Sequence, residues 1–155
     1  MKPTQIKSSL ATAIKAKRPC FIWGAPGVGK SQVVAQVAAE NELELVDVRA
    51  VLLDPVDLRG LPHINGEGRA HWAIPSFLPQ KGKGILFLDE LNAAPLLVQA
   101  ACYQLILDRK LGEYELPKGW SVLAAGNRET DKAVTSSIKV NLGFASLAED
   151  SRRAR

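Results

Sequence analysis

The sequence is poor in the residues that build metal centres, membrane spans and secreted scaffolds. It has two cysteines, Cys20 and Cys102, both in apolar surroundings and in no metal-ligand spacing. They read as buried reduced thiols. Its two histidines, His63 and His71, lack companion ligands, so a metal site there is not expected. No apolar run reaches the ~18 residues that a membrane span needs. Met1-Lys2-Pro3-Thr4-Gln5 has no signal-peptide core behind it, so a cytoplasmic protein with no membrane contact is expected. Charge of one sign is scarce as well. The formal net charge is +4, and in residues 133 to 155 four Lys/Arg face two acids. No basic groove interleaved with aromatics is visible, so nucleic acid is not indicated as a partner. Internal repeats and low-complexity tracts are missing too. What remains is 155 residues, 46% hydrophobic and 23% charged. That is enough for one soluble domain, spanning 1 to 155, with a full core.

One stretch dominates the chain. Gly24-Ala25-Pro26-Gly27-Val28-Gly29-Lys30-Ser31 fits the phosphate-binding pattern G-x-x-x-x-G-K-[ST]. The apolar run Cys20 to Trp23 precedes it and reads as a buried strand. Ser31 to Ala39 follows, with Val33, Val34, Val37 and Ala38 on one helical face. Glycines let backbone N–H groups close around phosphate oxygens, and the helix start adds partial positive charge. Lys30 supplies a full charge at the β- and γ-phosphates, and Ser31 a hydroxyl ligand for Mg²⁺.

Along the chain, Pro3 to Lys17 reads as a helix with Ile6, Leu10 and Ile14 in one stripe. The helix after the glycine loop runs to about Asn41. Leu43 to Arg49 alternates and predicts a half-exposed strand. Asp54 to Pro62 holds one or two helical turns between prolines. His63 to Ala73 reads as a hairpin or loop. Its Trp72 is expected to pack against the body, the alternative being an exposed grip on a partner.

Ile85-Leu86-Phe87-Leu88 predicts a strand buried on both faces, ending in Asp89-Glu90. Open α/β sheets place ligands at such carboxyl ends. Asp89 would hold Mg²⁺ through water, and Glu90 would orient and deprotonate an attacking water. Pro95 to Arg109 reads as a helix with Leu97, Ala101 and Leu105 in its stripe, and Leu96, Ala100 and Leu107 close by. Lys110 to Leu116 predicts a small strand. Trp120 to Ala125 predicts another, running into Gly126-Asn127. Asn127 is either a turn residue or, as its position favours, a contact to the γ-phosphate or to water.

Together these residues resemble the AAA+ ATPases, and within them the MoxR-type group, over about residues 3 to 134. The resemblance rests on GAPGVGKS, on Leu53 to Pro62, on Ile85 to Asn92, and on Ala124-Ala125-Gly126-Asn127-Arg128. It implies an α/β P-loop NTPase fold, three-layer α/β/α with a mainly parallel sheet. Lys30 and Ser31 would be Walker A residues, Asp89 and Glu90 Walker B residues, and Asn127 the sensor-1 residue. ATP and Mg²⁺ are the implied cofactors. Residues around 54 to 74 would form an inserted loop region facing a central pore or a partner. The family acts as homo-oligomeric rings that remodel or activate partner proteins. Residues 133 to 155 depart from the pattern, as in a truncated or frame-shifted product. Arg152, Arg153 and Arg155 do not match the arginine that reaches a neighbour's site, and the C-terminal helical lid is expected to be absent. One local remedy is expected: Ile138 to Leu142 alternates and can pair with the first strand in place of the family's fifth.

The expected activity is ATP hydrolysis. The alternative is a nucleotide-responsive binding module with little or no turnover. A P-loop kinase would need mobile arginines, and residues 50 to 84 hold only Arg59 and Arg69.

Overall fold

A computed structural model describes residues 3–127 and 139–142 of the chain. Arg152, Arg153 and Arg155, and the expectation for a lid, lie outside them. Helix α1 (Pro3–Lys15) leads into strand β1 (Cys20–Trp23), and the glycine loop into α2 (Lys30–Glu40). Strand β2 (Glu44–Arg49), a 3-10 turn (Ala50–Leu52) and the short α3 (Pro55–Arg59) follow. Then come the hairpin β3 (Leu61–Ile64) and β4 (Ala70–Ala73), strand β5 (Gly84–Asp89) and a 3-10 turn (Leu91–Ala93). Helix α4 (Leu96–Asp108), the small hairpin β6 (Lys110–Leu111) and β7 (Tyr114–Glu115), and strands β8 (Trp120–Gly126) and β9 (Lys139–Leu142) complete the order.

The main sheet runs β2-β5-β8-β1-β9. Its first four strands are parallel, and β9 pairs antiparallel with β1. The expected strand near 138 to 142 therefore forms, with Phe21 opposite Asn141 and Ile22 opposite Val140. Side chains alternate across the sheet because successive Cβ atoms point to opposite faces. Cys20 and Ile22 of β1, Ile85 and Phe87 of β5, and Leu123 and Ala125 of β8 pack with Ile6 and Leu10 of α1 and Val34 and Val37 of α2. Phe21, Leu86, Leu88, Val122 and Ala124 face the other way, against Val98, Ala101, Cys102 and Leu105 of α4. Two helical layers thus sandwich one sheet. This explains why β1 and the Ile85–Leu88 run of β5 are wholly apolar: neither has a wet face.

Two local expectations change. In α4 the buried positions are Val98, Ala101, Cys102, Leu105 and Ile106, whereas Leu96, Leu97 and Leu107 are exposed. The helix is apolar nearly all round, so several stripes fit its sequence. The sheet selected the one that spaces side chains at i, i+3, i+4, i+7 and i+8. Trp72 does not pack into the body. It is 41% exposed on the β3–β4 hairpin, near exposed Leu61 and Ile64. The hairpin is instead tied down by polar contacts. Glu113 Oε2 accepts the Trp72 N–H at 3.2 Å and lies 3.6 Å from His71 Nδ1, while inside the hairpin Asn65 pairs with His71 at 3.0 Å. His63 and His71 face each other across the hairpin.

Candidate functional site

Strand order brings the sequence motifs together. Strand β8 lies between β5 and β1, with Trp23 beside Gly126 and Leu88 beside Ala124. The carboxyl ends of β1, β5 and β8 therefore present Gly24–Ser31, Asp89–Glu90 and Asn127 at one end of the sheet, where open α/β sheets bind ligands.

The glycine loop turns into α2 at Gly29, whose φ of 85° is left-handed and costs glycine little. The first N–H groups of α2 have no partner inside the helix, so they point toward the loop as donors. Lys30 is only 7% exposed. A buried ammonium needs acceptors. Its Nζ donates to Gly24 O at 2.8 Å, Ala25 O at 3.0 Å and Asn127 Oδ1 at 2.6 Å. A phosphate bound in the loop would trade for at least one of these oxygens.

The acids sit opposite. Ser31 Oγ donates to Asp89 Oδ2 at 2.9 Å, and Asp89 Oδ1 accepts the Glu90 N–H at 2.8 Å. The hydroxyl and the carboxylate are hard oxygen ligands close enough to share one Mg²⁺ ion and its waters. Glu90 has φ 55°, uncommon for a residue with a Cβ. This turn sends the chain from β5 into the 3-10 segment and leaves Glu90 lining the cleft. The cleft holds about 290 Å³. It is lined by Pro26, Gly27, Gly29, Lys30, Ser31 and Gln32 of the glycine loop and α2, and by Arg49, Asp89, Glu90 and Asn127 from the strand ends. A cation, a row of helix-start donors and paired acids fit a phosphate chain with a divalent ion.

Three residues of the expected loop set stand back from the cleft. Gly24 is buried, its N–H donating to Gly126 O at 3.3 Å. Ala25 contributes its carbonyl to Lys30. Val28 packs against the core on the α1–α2 side.

No protein-family profile and no curated protein matches the sequence. Solved structures do. An ATPase-like protein of Cytophaga hutchinsonii is similar at TM-score 0.59 and 21% identity, over 97% of this chain and 50% of that one. NtrX of Brucella abortus is similar at TM-score 0.55 and 19% identity, over 83% of this chain and 31% of that one. A RuvB variant of Thermotoga maritima gives TM-score 0.55 and 19% identity, over 81% of this chain and 39% of that one. This chain has an AAA+ ATPase-like fold. It spans 31% to 50% of the length of these structures. A second NtrX structure, in complex with ADP, matches at TM-score 0.56 and 17% identity, over 83% of this chain and 30% of that one. No helix among the described residues is long and apolar enough to cross a membrane.

Sequence reasoning did not single out Gln32 and Arg49, which line the cleft, or Asn92, which stands behind it. Arg49 ends β2 beside Asp89 in the ladder and lines the cleft. It was legible only as the last residue of an alternating strand. Its neighbour Asp47 is held above the usual carboxylate range by burial and by the Asp89 charge, an effect that Arg49 opposes. Asn92, just past Glu90, hydrogen-bonds to the main chain of Asn127. Nothing in its local sequence marks that contact, because the two residues meet only through strand order.

Proposed function

We propose that this chain binds ATP with Mg²⁺ and hydrolyses it, and that turnover remodels or activates a partner protein, as in MoxR-type AAA+ ATPases. The observation that carries the reading is the linked set Ser31–Asp89 and Lys30–Asn127, drawn from three strand ends into one polar cleft. ADP in complex with a protein of similar fold supports nucleotide binding. Lys30 and the helix-start N–H groups bind the β- and γ-phosphates. Ser31 and Asp89 hold Mg²⁺, which when bound neutralises charge building on the phosphates. Glu90 takes the proton of the attacking water, and Asn127 orients that water or the γ-phosphate. The exposed apolar hairpin with Ile64 and Trp72 is the element offered to the partner, and a homo-oligomeric ring is the working assembly.

ATP titration and steady-state turnover of the wild-type chain and Glu90→Gln test this reading. Glu90→Gln keeps size and loses the base. Turnover should fall by ~10²–10⁴ with ATP binding retained. Equal turnover would remove Glu90 as the base. Binding without turnover in the wild type would leave the nucleotide-responsive module instead.

A further inference from the structure

The end of strand β8 is held by a side chain where a neighbouring strand is missing. The β5–β8 ladder stops at Leu88 and Ala124, because β5 turns away at Asp89 and Glu90. On its other side β8 stays paired with β1 as far as Gly126. The N–H and C=O of Asn127, half-buried at the end of the ladder, would thus have no strand partner on the β5 side. Asn92 fills that gap with both halves of its amide. Its Nδ2 donates to Asn127 O at 2.7 Å, and its Oδ1 accepts the Asn127 N–H at 3.1 Å. The side chain imitates one residue of a strand.

Two further features fit Asn92 into this place. Gln99 of α4 donates through Nε2 to Asn92 O at 3.3 Å and to Ala94 O at 2.8 Å. The 3-10 turn that carries Asn92 is thereby tied to the long helix. Gly126 leaves the room. A Cβ there would lie 2.5 Å from Asn92 Oδ1 and 2.9 Å from Asn92 Cγ. The link then continues through Asn127, whose Oδ1 accepts from Lys30 Nζ at 2.6 Å. Gln99, Asn92, Asn127 and Lys30 thus form one hydrogen-bonded line from α4 into the phosphate loop.

We propose that Asn92 is a positioning residue of the nucleotide cleft. It acts through the main chain of Asn127 and fixes the Asn127 side-chain amide relative to Lys30. This rests on the ATP-hydrolysis reading above. Asn92 itself touches no reacting atom. Its effect is on where Asn127 lies when ATP reacts, and so on turnover more than on affinity. The 3-10 turn follows Glu90 directly, so the same contact also sets the distance between the proposed base and the proposed sensor.

The test uses the full chain and three substitutions. Asn92→Ala removes both bonds. Asn92→Asp keeps the volume and the acceptor but loses the donor to Asn127 O. Gly126→Ala pushes Asn92 away and also crowds Phe21, whose Cζ lies 3.0 Å from the added carbon. Turnover of ATP should fall about ten- to a hundredfold in each, as for residues that support a site, with KM for ATP changed by less than about threefold. Amide exchange at Asn127 should quicken in Asn92→Ala while the rest of β8 stays protected. If Gly126 acts through Asn92, adding Gly126→Ala to Asn92→Ala should cost little more turnover. Unchanged turnover in Asn92→Asp with a wild-type melting temperature would overturn the proposal. Turnover that falls only with the folded fraction, with exchange raised across β5 and β8 alike, would overturn it too. It would make Asn92 a residue of general stability. A wild-type chain that does not bind ATP would overturn the functional reading and this proposal together. A wild-type chain that binds ATP without turning it over would overturn this proposal and leave binding intact.

Discussion

Ser31 and Asp89 are 58 residues apart in sequence, and Ser31 Oγ lies 2.9 Å from Asp89 Oδ2. The parallel sheet makes this contact. It sets the first residue after the phosphate-loop lysine against the last residue of a buried strand.

Substitution on either side of that pair should separate phosphate binding from metal binding. Lys30→Ala removes a charged partner to an anion, a contribution of about 1.5–3 kcal/mol. ATP binding should weaken about ten- to a hundredfold with or without Mg²⁺. Asp89→Asn should weaken binding only when Mg²⁺ is present. Calorimetric titration with and without the metal checks both. Equal losses in the two variants under both conditions would sink the division of roles.

The β1–β9 pairing should govern solubility. Strand β1 carries Phe21 and Ile22, both buried, and among the described residues its second edge is covered by β9. Asn141→Pro removes an N–H at the position facing Phe21, where the antiparallel pair exchanges its ladder bonds. The free edge would then invite self-association. Sedimentation should show larger species in the variant. Exchange of the Lys139 and Asn141 amides, which face β1, should be slow in the wild type. Fast exchange there would contradict the pairing.

The tryptophans should differ sharply. Trp120 is 1% exposed, and its Nε1 donates to Lys81 O at 2.9 Å. Trp120→Ala should cost about 3–5 kcal/mol, a large share of a small domain's stability. Trp72 is exposed, so Trp72→Ala should change stability by less than about 0.5 kcal/mol. Urea unfolding of the two variants measures this. A large loss in Trp72→Ala would mean that the hairpin packs more tightly than its exposure shows.

The cysteines give a prediction with pH. Burial pushes both the Cys20 and the Cys102 thiol up from 9.0 to about 12. The thiolate is the reactive form. Neither thiol should react with a disulfide reagent at pH 8 in the folded protein, and both should react in urea. The raised values also fix a sign. The stability that the neutral thiols contribute is complete below pH 9 and is lost as pH rises toward 12. Melting curves between pH 8 and 11 should show that decline. Rapid labelling of the folded chain at pH 8 would contradict the burial.

Much of the fold was legible because apolar runs and glycine punctuation are local signals. Cys20–Trp23 and Ile85–Leu88 read as buried strands, and they are. GAPGVGKS reads as a loop between a strand and a helix, and it lies there. Helix α4 shows where local signals fail. Leu96, Leu97 and Leu107 look as apolar as Val98 and Ile106, and only the packing partner chose which to bury. Trp72 fails for the same reason: a large apolar side chain has no address until a neighbour exists.

The site divides in the same way. The sequence alone determined which groups do the chemistry proposed here, because Lys30, Ser31, Asp89 and Glu90 are recognisable by residue type and short spacing. The tertiary structure decided how they meet. The order β2-β5-β8-β1 puts Arg49 beside Asp89 and lays Asn127 over Lys30. It also decided that the amide of Asn92 closes the end of β8. Once β5 had turned away, the N–H and C=O of Asn127 had no strand partner on that side, and the Asn92 amide, distant in sequence, took that place.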